Sequence, residues 1–290
     1  MTVQAMSRSS RTFLRIREGY RQLAERRSAL FGLYFILFLI VVAIIAPWIA
    51  PYGIDEFTDG VLEGPSWAHP FGIDQIGRDV FSRVLLGSQI SLTVGIFSVG
   101  ISLVAGIVLG ILAGYYGGWL DAVFMRIMDV VMAIPYVLLA VLIAAILGPS
   151  LQNGIIAIGI VRVPRFARVV RAATMATVRL QYVEAARCVG ASDFRIITRE
   201  IFPNIVGPLV IYTTLSLGEA ILASAVLSFL GLGAQPPIPE WGALLQEAQR
   251  YLTTAPFLSI FPGLCVFATV LSFNLLGDGL RDILDPKSRR

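Results

Sequence analysis

The sequence predicts an all-α membrane protein with about six transmembrane helices. Three observations carry that class. Of 290 residues, 56% are hydrophobic and only 14% charged, and the mean hydropathy is +0.77; a soluble domain carries about a quarter charged residues. Apolar runs long enough to cross a bilayer recur along the chain. Arginine is concentrated in three stretches that six crossings bring to one side of the membrane.

Residues 1–29 hold Arg8, Arg11, Arg15, Arg17, Arg21, Arg26 and Arg27 and read as a cytoplasmic tail. The first span is expected at 30–50. The basic stretch before it is too long for a signal peptide, and no convincing A-x-A site follows Pro47, so an uncleaved helix is expected. An acidic outer segment completes a 30–87 unit. The rest of the membrane domain is expected over 88–280, and a tail over 281–290 carries Arg281, Lys287, Arg289 and Arg290.

The second span, 88–114, places Gly106, Gly110 and Gly114 every fourth residue on one smooth stripe. Small residues let helices approach closely where lipid removes the hydrophobic drive to associate, so this stripe predicts helix packing. The third span, 122–147, contains Pro135, which removes a backbone donor and predicts a kink. Its Asp129 lies three residues from Arg126, spaced for a local ion pair. The fourth span, 150–170, has a short apolar part ending at Val161. Arg162, Pro164, Arg165, Arg168 and Arg171 then read as the start of a basic loop, or as a tilted helix that continues into the cytoplasm.

The fifth span, 207–232, holds Glu219 near its middle with no local cation. A mid-membrane carboxylate costs roughly 2.5–3.5 kcal/mol on insertion scales, so Glu219 is expected to line a polar passage, with Asp129 as a second candidate. A second outer segment, 233–255, spaces Trp241, Leu244, Leu245, Ala248 and Tyr251 along one helix face, which predicts an amphipathic helix on the outer rim. The sixth span is 256–277.

Several chemistries have nothing to stand on. The single lysine, Lys287, follows a proline rather than a glycine loop, so no P-loop is present, and no H-E-x-x-H, G-x-S-x-G or paired-cysteine motif occurs. No catalytic residue and no metal ligand set is expected, and His69 reads as a structural loop residue. Cys188 and Cys265 fall in different compartments of this topology, so no disulfide is expected between them. The net charge of +4 is not evidence for nucleic acid; what matters is its placement, which sets topology.

One stretch between the fourth and fifth spans stands out: EAARCVGASDFRIITREIFPN, with Glu184, Ala185, Ala186, Gly190 and Pro203. It resembles the EAA loop of the permease subunits of bacterial ABC importers. HPFGIDQIGRDVFSR from His69, LSFLGLGAQPPIPEWG from Leu227 and FNLLGDGLRDILDP from Phe273 are similar to the dipeptide, oligopeptide, glutathione and nickel branch, in its C-type subunit. The departures are Phe202 where leucine usually precedes the proline, and Ser224 where many relatives are acidic.

The resemblance implies a type I importer permease with a cytoplasmic coupling helix at 183–200 that docks on an ATPase, the coupling residues being Glu184, Ala185, Ala186 and Gly190 within it and Pro203 at its exit toward the fifth span. It implies a second homologous permease, two ATPase subunits that hold the ATP and magnesium, an external substrate-binding protein, and the bacterial inner membrane. Pro237 and Trp241 would then help to receive the binding protein. Gly190→Asp would weaken ATPase docking, because its side chain would fill the space at the turn. An ion-driven carrier using Asp129 or Glu219, and a non-transporting scaffold, are the alternatives.

Overall fold

The computed structural model describes residues 26–284; the arginines of the N-terminal tail before Arg26 and the basic residues from Lys287 onward lie outside them. Among the described residues ten α-helices follow in order: α1 Arg27–Ile49, α2 Val80–Tyr116, α3 Gly118–Met132, α4 Tyr136–Leu147, α5 Leu151–Val178, α6 Gln181–Cys188, α7 Asp193–Ile196, α8 Phe202–Phe229, α9 Trp241–Ala248 and α10 Phe257–Leu284. Among the described residues the only β-pairing is two isolated bridges, Phe57 with Arg78 and Ile73 with Asp79.

Among the described residues, four helical stretches are long and apolar enough to cross a membrane: Arg27–Ile49, Val80–Tyr116, Asp193–Phe229 and Phe257–Leu284. The bent pair α3 and α4 makes a fifth if it counts as one span. The expected third span is therefore broken rather than kinked, because the two pieces meet at 88°. Pro135, in an extended conformation, supplies no N–H to continue the helix, and the chain restarts at Tyr136. The expected fourth span is α5, 28 residues long, in which Arg162, Arg165, Arg168 and Arg171 are all helical. They do not begin a loop; the helix continues past the apolar part.

The core lies where α5 packs along α2, the most extensive pairing in the chain. The glycine stripe makes this possible. A Cβ on Gly106 would stand 2.3 Å from Phe166 Cβ, on Gly110 2.6 Å from the Ala167 carbonyl oxygen, and on Gly114 2.8 Å from Thr174 Cβ. Glycine lets the two backbones meet there, and Ser102 Oγ donates across to the Gly159 carbonyl at 2.8 Å. Val94, Val99, Ile158, Val161, Phe166, Val170, Ile205 and Leu227 fill one apolar cluster. A second cluster joins α1, α2, α9 and α10 through Ile36, Leu39, Val84, Trp241, Leu258 and Phe273.

The segment between α1 and α2 is knitted by its own charges. Asp79 caps α2 by accepting from Ser82 N at 2.8 Å, and also accepts from Ser82 Oγ at 2.7 Å. His69 Nδ1 lies 2.8 Å from Asp79, and its ring stacks on Tyr52, so this histidine is structural. Asp74 and Glu247 of α9 together hold Arg78 and Arg83, with Arg78 Nε to Asp74 at 2.7 Å and Arg83 Nη1 to Glu247 at 2.7 Å.

Candidate functional site: a glycine-capped turn and a charge cluster between helices

The stretch from Gln181 to Ile201 is two helical pieces around a sharp turn, not one helix over 183–200. The spacing of its motif follows from helix termination. Helix α6 ends at Cys188, and Gly190 adopts φ +78°. Gly190 N–H donates to the Arg187 carbonyl at 2.9 Å and Ala191 N–H to the Ala186 carbonyl at 3.0 Å. That pair of bonds is a Schellman cap, and its left-handed position favours glycine because an L side chain there costs about 1–2 kcal/mol. Glu184 lies exposed in the first turn of α6, where its charge suits the positive helix end. Ala185 is exposed beside it and Ala186 is half-buried. The chain resumes as α7, passes through a π-turn at Ile197–Ile201 and enters α8, with Pro203 exposed in its first turn.

Three anchors fix this segment to the bundle: Val183, Ile196 and Ile201 are buried in the main cluster. Tyr115 Oη donates to Asp193 at 2.7 Å, and Arg187 sits over the Tyr115 ring. The tip points the other way. Val189 is 83% exposed and Phe194 78% exposed, the two most exposed large apolar side chains of this segment. Sequence reasoning missed both; their signal was an apolar residue on each side of the capping glycine. No atom lies within 4 Å of a Cβ built on Gly190, so the space at the turn is open. A substitution there acts through backbone conformation and added charge, not through crowding.

The carboxylates of α3 and α8 meet partners that local spacing does not reveal. Glu219 accepts from Arg162 Nη2 at 2.7 Å and stands 3.7 Å from Arg165 Nη1, both on α5. It therefore has a cation, supplied across the helix interface. Asp129 pairs with Arg168 rather than with Arg126. Asp121 takes Arg171, whose Nη2 donates at 2.6 Å. Four arginines spaced by three along α5 thus face three carboxylates from α3 and α8. Arg165 also lies over the Tyr136 ring, 5.4 Å from its centroid.

Trp241 is 1% exposed, its indole N–H donating to the Val84 carbonyl at 3.0 Å. It cannot receive a protein from outside. Helix α9 forms as expected, but its apolar face turns into the bundle against α8 and α10. Pro237 is exposed. The neighbouring Glu240, missed in the sequence, is fully buried and caps α9 by accepting from Ala243 N at 3.0 Å, with Ser224 Oγ at 3.3 Å. Burial pushes its carboxyl above the ordinary range, against the hydrogen bonds that favour the charged form. The departure at Ser224 thus lies beside an acidic residue from another element.

Residues 106–290 match the family model described as "binding-protein-dependent transport system inner membrane component", and residues 15–65 match "N-terminal TM domain of oligopeptide transport permease C". The chain is 50% identical over 272 residues to the glutathione transport system permease protein GsiD of Escherichia coli O6:K15:H31, covering 93% of this chain and 90% of that one. The same protein of Shigella boydii serotype 4 matches to the same extent. Among solved structures, the inward-facing MetNI methionine ABC transporter in its native crystal form aligns with TM-score 0.54 at 21% identity, covering 67% of this chain and 93% of that one. A second crystal form of that transporter gives 0.51 at 22% identity. At that identity the likeness speaks for the fold. With a family match over most of the chain and half-identity along nearly all of it, the chain belongs to the binding-protein-dependent transport system inner membrane components, the permease subunits of ABC importers, in the branch of the oligopeptide and glutathione permeases.

Proposed function

We propose that this chain forms one half of a translocation pathway for di- or oligopeptides or glutathione, with nickel chelates a more distant cargo class. The other half is a second homologous permease. Two ATPase subunits dock on the cytoplasmic side, where both termini also lie, and a substrate-binding protein docks on the outer face. The chain moves cargo and catalyses nothing; ATP and magnesium act in the partner subunits. ATP binding shifts the balance between inward- and outward-facing arrangements through contacts that differ between them.

The observation that carries this reading is the coupling segment: a short, capped element anchored by Val183, Ile196 and Ile201, with Val189 and Phe194 bare at its tip. Exposed apolar side chains at a rigid turn are what a groove on a partner takes up. The charge cluster supports the second permease. Arg165 and Glu219 are 44% and 45% exposed along their side chains, at a depth where lipid is a poor neighbour for charge. A wet passage or a polar partner face accounts for them. Both carboxylates proposed for an ion carrier, Glu219 and Asp129, are paired with arginines, which counts against that alternative.

Affinity purification of the tagged chain from its native membrane is expected to recover a second permease and P-loop ATPases. The chain recovered alone in several gentle detergents would count against the reading. Gly190→Asp is expected to leave membrane insertion intact and to reduce the ATPase recovered by about tenfold, the equivalent of about 1.4 kcal/mol. Undiminished recovery would remove the coupling role from this turn.

A further inference from the structure

We propose that Arg162, Arg165 and Glu219 form an exchange station for carboxylates, at which the free carboxylate of a passing cargo takes the place of Glu219 on the two arginines. The proposal rests on the reading above that the pathway runs beside this face. Depth is the first support. Arg162 and Arg165 lie 11 and 14 residues beyond Leu151, roughly 17 and 21 Å along α5. Glu219 lies ten residues before Phe229, roughly 15 Å along α8. The start of α5 and the end of α8 share one end of the bundle, because a Cβ on Gly154 would be 3.8 Å from Gly233 Cα. The cluster is therefore near the middle of a hydrocarbon core about 30 Å thick.

Charge is the second support. Arg168 and Arg171 each have their own carboxylate in Asp129 and Asp121, so the one surplus positive charge of the row falls on Arg162 and Arg165. Arg162 is buried and its Nε–H has no hydrogen-bond partner. A buried guanidinium with an unused donor is under-satisfied, and a planar carboxylate is the group that matches its fork. Access is the third. The break between α3 and α4 opens a cavity of about 240 Å³ lined by Pro135, Tyr136, Val161 and Arg165.

Exchange suits a passage better than fixed binding. One carboxylate replaces another, so the arginines are never left bare, and the incoming group does not face the full desolvation cost of a lone buried charge. Glu219 competes for the site, which keeps residence short, as conduction requires.

The test uses the purified permease complex in nanodiscs, titrated with glutathione and with trialanine, each as the free acid and with every carboxyl blocked as an ester or amide, with binding read by thermal shift. The free acids are expected to shift the wild type, and the blocked forms are not. Arg165→Gln is expected to weaken free-acid binding by about tenfold or more, the size of one charge-assisted hydrogen bond, with Arg165→Lys restoring part of it. Glu219→Gln is expected to do the opposite and tighten it, a sign that a folding defect does not produce. Equal shifts by acid and blocked forms, no shift of the wild type by either acid, or weakening by both Arg165→Gln and Glu219→Gln would overturn the proposal. Uptake is scored separately in liposomes holding the full importer: acid-selective binding without uptake of either compound would tell against the cargo reading and leave the station standing.

Discussion

Gly106→Ala is expected to destabilise the folded chain by about 1–3 kcal/mol, although alanine is the better helix former. The added methyl would meet Phe166 Cβ at 2.3 Å and the Ala167 backbone nitrogen at 3.0 Å. Neither atom is the far end of a flexible side chain, so no rotamer change relieves the contact, and α2 and α5 must separate. That separation reaches the whole main cluster, because both helices line it through Val94, Val99, Val161 and Val170. Gly100 is the control on the same helix. Nothing lies within 4 Å of a Cβ built there, so Gly100→Ala is expected to be neutral or to stabilise by up to about 1 kcal/mol through the lower entropy cost of alanine in a helix. Thermal denaturation in detergent and the amount of chain in the membrane fraction check both. Opposite signs at two glycines of one helix separate close packing from propensity. Loss at neither position would mean that the stripe does not hold the pair together.

The features legible in the sequence were those set by spacing within one helix or one turn. The four-residue glycine stripe identifies a packing face because its regularity is itself the geometry of the face. The distance from Glu184 to Gly190 is the length of a short helix and its cap, so that motif could be located without knowing its fold. What spacing cannot state is which way a face turns. Spacing gives α9 one apolar face, but Trp241, Leu244 and Ala248 are buried in the bundle, Trp241 against Val84 of α2, rather than facing solvent or lipid. Nor can it state partners across helices. Arg162 and Glu219 are 57 residues apart in the chain, and Asp129 passes over Arg126 on its own helix for Arg168 on another. The break at Pro135 was visible as a missing donor. Its 88° size was not, because the angle depends on what the two pieces pack against.

Glu247→Ala is expected to cost about 3–5 kcal/mol and to free the 50–79 segment from α9. Glu247 Oε2 accepts from Arg78 Nη2 and Arg83 Nη1, both at 2.7 Å, and Oε1 accepts from Arg83 Nη2 at 3.1 Å. Both arginines are almost fully buried, and Asp74 is the other acid facing them. With Glu247 gone, two buried guanidinium groups share one carboxylate, and an uncompensated buried charge costs far more than the intact pair contributes. The Arg26–Asp282 pair provides the contrast. Its ends are 57% and 44% exposed, so Asp282→Ala is expected to change stability by no more than about 1 kcal/mol, an effect that salt reduces further. The Glu247 effect should persist at high ionic strength, because salt screens buried pairs weakly. Limited proteolysis locates it: cleavage within 50–79 should accelerate in Glu247→Ala and stay slow in Asp282→Ala. Double-mutant cycles between Arg83 and Glu247 then separate the coupling of the pair from the cost of stranding one partner. If the two variants proved equally mild, the cluster would be a surface feature, and the segment would be held by its own turns and by the Asp79 cap alone.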